Sequence, residues 1–136
     1  MTKQITISSS HPVSVEAIYA LYQQMSWAAS RTSEDIRVML DNTSLWLGAW
    51  QGERLVGFVR VLSDDRYRAF IEDVIVDEAA RGQGVGHQLI EQVMQRLAHI
   101  EEVMLVCEER LVPFYEQHGF ERTDYPTAMK WRRSSG

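Results

Sequence analysis

Polar and apolar positions alternate at the start of the chain, where Ile5 and Ile7 predict a first strand that His11-Pro12 ends. The period then changes. Val15, Ile18, Tyr19, Leu21, Tyr22 and Met25 recur at helical spacing, so residues 15–25 read as a helix. Residues 26–32 read as a loop. Ser33, with Glu34 and Asp35 behind it, reads as the start of a second helix that runs through Ile36, Val38, Met39 and Leu40 to Asp41-Asn42. Three strands are predicted at 44–50, 55–62 and 67–76, joined by turns at Gln51-Gly52-Glu53 and at 63–66. A long amphipathic helix over 87–97 places Leu89, Ile90, Val93, Met94 and Leu97 on one face. A short buried strand at 103–107 comes next. Residues 111–118 form a short helix with Pro113 in its first turn and Gly119 at the position that closes it. Residues 120–123 and 128–131 are expected to pair as a last hairpin around Asp124-Tyr125-Pro126.

The order β-α-α-β-β-β-α-β-α-β-β joins its first strands by hairpins and a later pair by a helical crossover. That implies an α+β fold, a mixed and mostly antiparallel sheet flanked by helices. With no repeat, low-complexity tract or linker, residues 1–136 read as one domain. A hydrophobic share of 45% and a charged share of 24% suit a globular protein. No apolar run approaches the roughly 20 residues of a membrane helix, and the N-terminus lacks a signal-peptide core, so no membrane partner is expected. A net charge of −5 argues against nucleic acid. The single cysteine, Cys107, forms no intramolecular disulfide, which points to a reducing cytoplasm. It lies in an apolar run and reads as a packing residue. His11, His87, His99 and His118 lack metal-ligand spacing, so no metal is expected.

The candidate chemistry centres on Arg81-Gly82-Gln83-Gly84-Val85-Gly86, between a predicted strand and the long helix. A glycine-rich loop opening a helix turns N–H groups and the positive end of the macrodipole toward one point, a natural place for phosphate or pyrophosphate. The Gly-Lys-Ser/Thr of a Walker loop is absent. The spacing is Gly-x-Gly-x-Gly rather than the dinucleotide Gly-x-Gly-x-x-Gly, and Asp77-Glu78-Ala79-Ala80 separates strand from loop. A turn that merely packs helix on sheet is the plain alternative. The run from Val74 through Gly86 resembles the acyl-CoA pyrophosphate loop of the GNAT N-acetyltransferase superfamily.

A second stretch, Phe114-Tyr115-Glu116-Gln117-His118-Gly119-Phe120, is similar to that family's Phe/Leu-Tyr-x-x-x-Gly-Phe motif. The resemblance implies a GNAT-like fold and transfer of acetyl from acetyl-CoA to a primary amine by direct attack. It implies that Arg81, Gly82, Gln83, Gly84, Val85 and Gly86 cradle the pyrophosphate. Backbone of the strand at Val74, Ile75 and Val76 would hold pantetheine and stabilise the oxyanion. Tyr115 would protonate the leaving thiolate; its plain alternative is a packed ring with its hydroxyl on a carbonyl. Glu72 is the expected base, through a water, with Asp73 or solvent as alternatives. Adjacent strand residues face opposite sides, so Glu72 is expected on the face of Val74 and Val76. Some members acting on small amines, polyamine acetyltransferases among them, carry Glu-Asp here. One position departs from the family: where many members have a cofactor-holding asparagine, this chain has Glu108.

In this fold the loop between the first two helices usually lines the acceptor pocket. Here it carries Trp27, able to flank an amine, and Arg31, able to hold an anion. Both are also ordinary loop residues. The expected acceptor is a small-molecule amine. A protein N-terminus or lysine is the second enzymatic reading, and a non-catalytic acyl-CoA sensor the third. Trp46, Trp50 and Trp131 offer apolar area that a small domain leaves uncovered, from which a homodimer is expected.

Overall fold

A computed structural model describes residues 4–134, which divide after Leu105 into two compact units. The first unit carries a five-stranded sheet in the order β1-β2-β3-β4-β5. These strands are β1 (Ile5–Ser8), β2 (Leu45–Gln51), β3 (Arg54–Ser63), β4 (Arg68–Val76) and β5 (Glu102–Met104). The first four are antiparallel neighbours, and only β4 and β5 run parallel. Their connection is the crossover helix α3 (Val85–Arg96), as a parallel pair requires. The mixed, mostly antiparallel sheet is the one expected.

Helices α1 (Val15–Tyr22) and α2 (Ser33–Asp41) cover one face. Ser14 caps α1, accepting from the Ala17 N–H at 3.0 Å, and Thr32 caps α2 through the Asp35 N–H at 3.1 Å. Helix α2 thus starts at Ser33, as expected, with Thr32 just before it as the cap because its hydroxyl reaches a free N–H group of the first turn. Helix α1 ends at Tyr22, and residues 26–28 form a single 3-10 turn within the expected loop.

Strand β3 is regular from Gly57 to Val61, so its pairings fix the two faces of the sheet. Phe58 and Arg60 share one face. Gly57, Val59 and Val61 share the other. On the Phe58 face, Ile18, Leu21, Tyr22, Ile36, Trp50, Leu55 and Ile75 form a buried core, with Trp46 packed against it. Trp50 is buried beneath His11, whose ring stacks at 4.4 Å, and Trp46 stacks on Phe58 at 6.1 Å. Both tryptophans belong to the core rather than to an uncovered surface. Gly48 makes room for them: a β-carbon there would lie 2.4 Å from the Trp50 indole. On the opposite face α3 sits against β3 at Gly57, where a β-carbon would meet Val85 and Leu89 at 3.0 Å.

In the second unit a 3-10 turn (Glu109–Leu111) leads into α4 (Val112–Glu116), with Pro113 in its first turn. Gly119 adopts a φ of +88° and closes the segment as expected. Residues 105–108 are not strand, so the predicted strand at 103–107 is shorter and Cys107 lies outside it. The final hairpin over 120–131 does not form. Local bonds occupy that backbone instead. The Thr123 hydroxyl donates to the Tyr125 carbonyl at 3.0 Å and Thr127 donates to the Asp124 carbonyl at 3.0 Å, while the Arg122 side chain forks onto that of Glu109.

Candidate active site

The glycine loop is built as its spacing predicts, by two glycines rather than three. Gly82 and Gly84 hold φ near +80°, a region that any β-carbon strains. Gly84 is the cap of α3, and no side chain caps that helix. A β-carbon at either glycine would meet nothing within 4 Å beyond its own chain neighbours, so the space on that side of each residue is open. Gly86 is already helical. The approach to the loop is fixed by Asp77, a buried carboxylate that closes a 3-10 turn (Glu78–Ala80) by accepting from the Ala79 N–H at 2.8 Å. Asp77 also accepts from Arg54 at 3.0 Å, and its own N–H donates to the Val56 carbonyl at 2.8 Å. Arg81 is exposed beside the loop, its Nε 3.4 Å from the Val76 carbonyl. Gln83 is held by Gln51 at 2.9 Å. The arrangement offers backbone donors and one guanidinium to an anion.

Strand β4 is irregular where the chemistry was expected. Ile75 pairs with Phe58 and Glu72 pairs with Arg60, so three steps along β4 oppose two along β3. The extra residue is a β-bulge, and within it Asp73 adopts a φ of +52°. The bulge reverses the expected facing. Glu72 lies on the face of Arg60, Phe58 and Ile75, whereas Val76, opposite Gly57, lies on the other. The expectation that Glu72 shares a face with Val76 fails, because simple alternation does not survive an inserted residue.

The Asp73 carboxylate is only 3% exposed and gathers three donors on one oxygen, Oδ2. The Tyr22 hydroxyl donates at 2.6 Å, Arg60 Nε at 2.6 Å and Arg31 Nη1 at 2.9 Å. Burial works to raise the Asp73 pKa, but these donors outweigh it and hold the carboxyl below its usual range. Arg31 also lies over the rings of Tyr22, at 4.9 Å, and Trp27, at 5.5 Å. Arg31 and Trp27 therefore do meet, but the cation that Trp27 flanks is Arg31 itself. Glu72, half-buried beside this group, has its pKa raised, first by burial and then by the Asp73 charge, with Arg60 and Arg31 opposing. A carboxylate with raised proton affinity suits a general base. The sequence reading named Arg31 and Asp73 but missed Tyr22 and Arg60 as their partners.

In the second unit Tyr115 is buried, with Phe114 and Phe120 edge-on to its ring at 4.9 Å and 6.0 Å. Burial, and secondarily the neighbouring Cys107, pushes its phenol up to about 12. The hydroxyl is thus protonated at neutral pH and able to donate. Glu108 is exposed and accepts from Arg110 at 2.9 Å. Among the described residues, no cluster of His, Cys, Asp and Glu is arranged to hold a metal. No helix there is long and apolar enough to cross a membrane.

Residues 11–134 match the family model described as an acetyltransferase (GNAT) domain. An uncharacterized N-acetyltransferase, ycf52, of Pyropia yezoensis is 31% identical over 124 residues, which is 87% of this chain and 71% of that one. A histone acetyltransferase, TAP1, of Glycine max is 33% identical over 131 residues, 88% of this chain and 57% of that protein. Among solved structures, a GNAT-family acetyltransferase from Streptococcus pneumoniae superposes with a TM-score of 0.82 at 29% identity, covering 97% of this chain and all of the other. A glycine loop that opens a helix after a bulged strand, the Tyr115 motif and these matches agree: the chain belongs to the GNAT superfamily and is an N-acetyltransferase.

Proposed function

We propose that residues 1–136 act as one acetyltransferase domain that uses acetyl-CoA, the family's co-substrate, to acetylate a small-molecule primary amine by direct attack. The observation that carries this reading is the pairing of a left-handed glycine loop with Glu72, a half-buried carboxylate of raised proton affinity. Arg81, Gly82, Gln83, Gly84, Val85 and Gly86 take the pyrophosphate. Backbone at Val74, Ile75 and Val76 binds the acyl arm, a role that a bulged strand suits because its ladder bonds are locally interrupted. Glu72 accepts the ammonium proton through water, which frees the amine to attack the thioester. The carbonyl oxygen gains charge and is stabilised by backbone donors. Tyr115 protonates the departing thiolate. Trp27 and Arg31 form the acceptor wall.

Asp73 is spent on Tyr22, Arg31 and Arg60, so Glu72-Asp73 is not a paired acidic cradle for a polycation. That supports a compact amine over a polyamine. The resemblance to a named histone acetyltransferase favours lysine as a second reading of the acceptor. A homodimer and a reducing compartment complete the proposal. The exposed Trp131 and the lone Cys107 support them, and light scattering tests the dimer.

The test of the chemistry is a pair of variants, followed by thiol release against a panel of amines and lysine peptides. Tyr115→Phe keeps the ring, so acetyl-CoA affinity should persist while kcat falls by about 10²–10⁴-fold at every pH. Glu72→Gln should be impaired most at low pH and recover partly as free amine becomes abundant. Near-normal kcat in Tyr115→Phe would show that the ring only packs. A pH-independent defect in Glu72→Gln would place the base elsewhere.

A further inference from the structure

We propose that Asp73 is a positioning residue of the transfer site: its buried carboxylate engages the two guanidiniums that would otherwise pair with Glu72, and so keeps Glu72 available as the base. The inference rests on the reading of Glu72 given above. Three observations carry it.

The first is backbone. Asp73 holds a left-handed φ of +52° at the β4 bulge. Glycine holds that conformation with least strain. An aspartate there is explained by what its carboxylate does. The second is bonding. Tyr22 comes from α1, Arg31 from the α1–α2 loop and Arg60 from β3, and all three donate to the one Oδ2. Arg60 is 11% exposed and Arg31 32%, so neither cation is fully screened by water. The third is facing. Glu72 stands opposite Arg60 in the register and on the same face. Yet among the described residues no ion pair is made to Glu72.

The groups that bear on Glu72 are Asp73 on its own strand, Arg60 on β3, Arg31 in the loop and, on α1, Tyr22, whose buried phenol stays neutral. With Asp73 in place, one carboxylate is shared by two cations. With it removed, both cations face Glu72 alone. They would stabilise its ionised form, lower its proton affinity and tie down the oxygen that must receive the ammonium proton.

Two substitutions separate charge from shape. Asp73→Asn keeps an acceptor oxygen and tolerates the left-handed φ. Asp73→Gly keeps the backbone and removes the side chain. The readout is the carboxyl carbon shift of Glu72 in 13C-labelled protein, titrated by NMR and assigned by its disappearance in Glu72→Gln. In both Asp73 variants the Glu72 midpoint should fall by about one pH unit or more, the scale of one neighbouring charge. In Arg60→Gln it should rise. The acid limb of kcat/KM should move with it. A role confined to scaffolding would reduce activity without moving the midpoints in opposite directions. Unmoved midpoints in folded Asp73→Asn and Asp73→Gly would overturn the proposal. Absence of turnover in the wild type would instead overturn the function proposed above, and the titration would still decide the role of Asp73.

Discussion

The glycine loop and the Asp73 cluster both belong to β4 or its sequel, and they are built in opposite ways. The loop works through backbone. Gly82 and Gly84 are exposed and lie in left-handed φ, with open space where a side chain would stand. The cluster works through side chains. Tyr22 and Asp73 are sealed in, Arg60 nearly so, and each fixes the others. A site that must approach a large polyanion needs the absence of side chains. A cluster proposed to set the proton affinity of Glu72 needs charges whose geometry cannot drift. The loop contributes little to the fold and the cluster contributes much, so substitutions in the two regions should fail in different assays.

The largest effect is expected from Asp73→Ala. Arg60 would lose the carboxylate it bonds at 2.6 Å and have only Glu72, opposite it in the register, to fall back on; breaking a buried pair costs up to about 3–5 kcal/mol. Urea unfolding should show that loss. The pH dependence adds a sign. The Asp73 pKa is lowered in the folded state. Its stabilisation is therefore fully present above the ordinary aspartate value of about 4 and fades as pH falls through the lower folded value. The stability gap between wild type and Asp73→Asn should be widest near neutrality and should narrow in acid below about pH 4. A gap that is constant with pH would mean that the carboxylate charge does not hold the cluster together.

Gly84→Val comes next and should fail elsewhere. Left-handed φ in a β-branched residue costs about 1–2 kcal/mol, so the fold should survive. Acetyl-CoA affinity should drop by about ten- to a hundredfold, the equivalent of one charge-assisted bond. Calorimetry on the folded variant measures it. Unchanged affinity would remove the loop from the cofactor site.

The same contrast explains what was legible in the sequence. The loop is local: three alternating glycines, an arginine and a helical stripe can be read within one window. The Tyr115 motif is contiguous for the same reason, and β2, β3 and β4 were placed to within a residue at most boundaries. The cluster is not local. Tyr22, Arg31, Arg60 and Asp73 come from four segments, and no window contains them all. One signal was available: an aspartate in the middle of an apolar strand must find donors when buried. The bulge itself left no pattern, so the face of Glu72 was misread. The final hairpin failed because the Thr123 and Thr127 hydroxyls bond carbonyls of that segment locally, which alternation alone cannot reveal.

Gly48 tests the packing beneath the cluster. Its β-carbon would stand 2.4 Å from the Trp50 ring, so Gly48→Ala must move that indole. Overpacking of this kind costs about 1–3 kcal/mol. The change should appear as a shifted tryptophan emission and a lower unfolding midpoint, with acetyl-CoA affinity retained. Loss of affinity without loss of stability would mean that the core and the loop are more tightly coupled than their construction implies.

The smallest effect is expected at Cys107, which belongs to neither construction. A thiol that carried the acetyl group covalently would need its pKa lowered, so that thiolate is present at neutral pH. Here the shift runs the other way. Burial raises the Cys107 pKa, the Glu109 carboxylate raises it further, and Arg122 only partly offsets them. Thiolate is therefore scarce at neutral pH, which supports direct attack over a two-step route. Cys107→Ala should keep kcat close to wild type and should leave the kinetics sequential, with both substrates bound before free CoA is released. A collapse of kcat in a folded Cys107→Ala protein, with an acetylated Cys107 trapped in the wild type, would replace direct attack by a covalent intermediate.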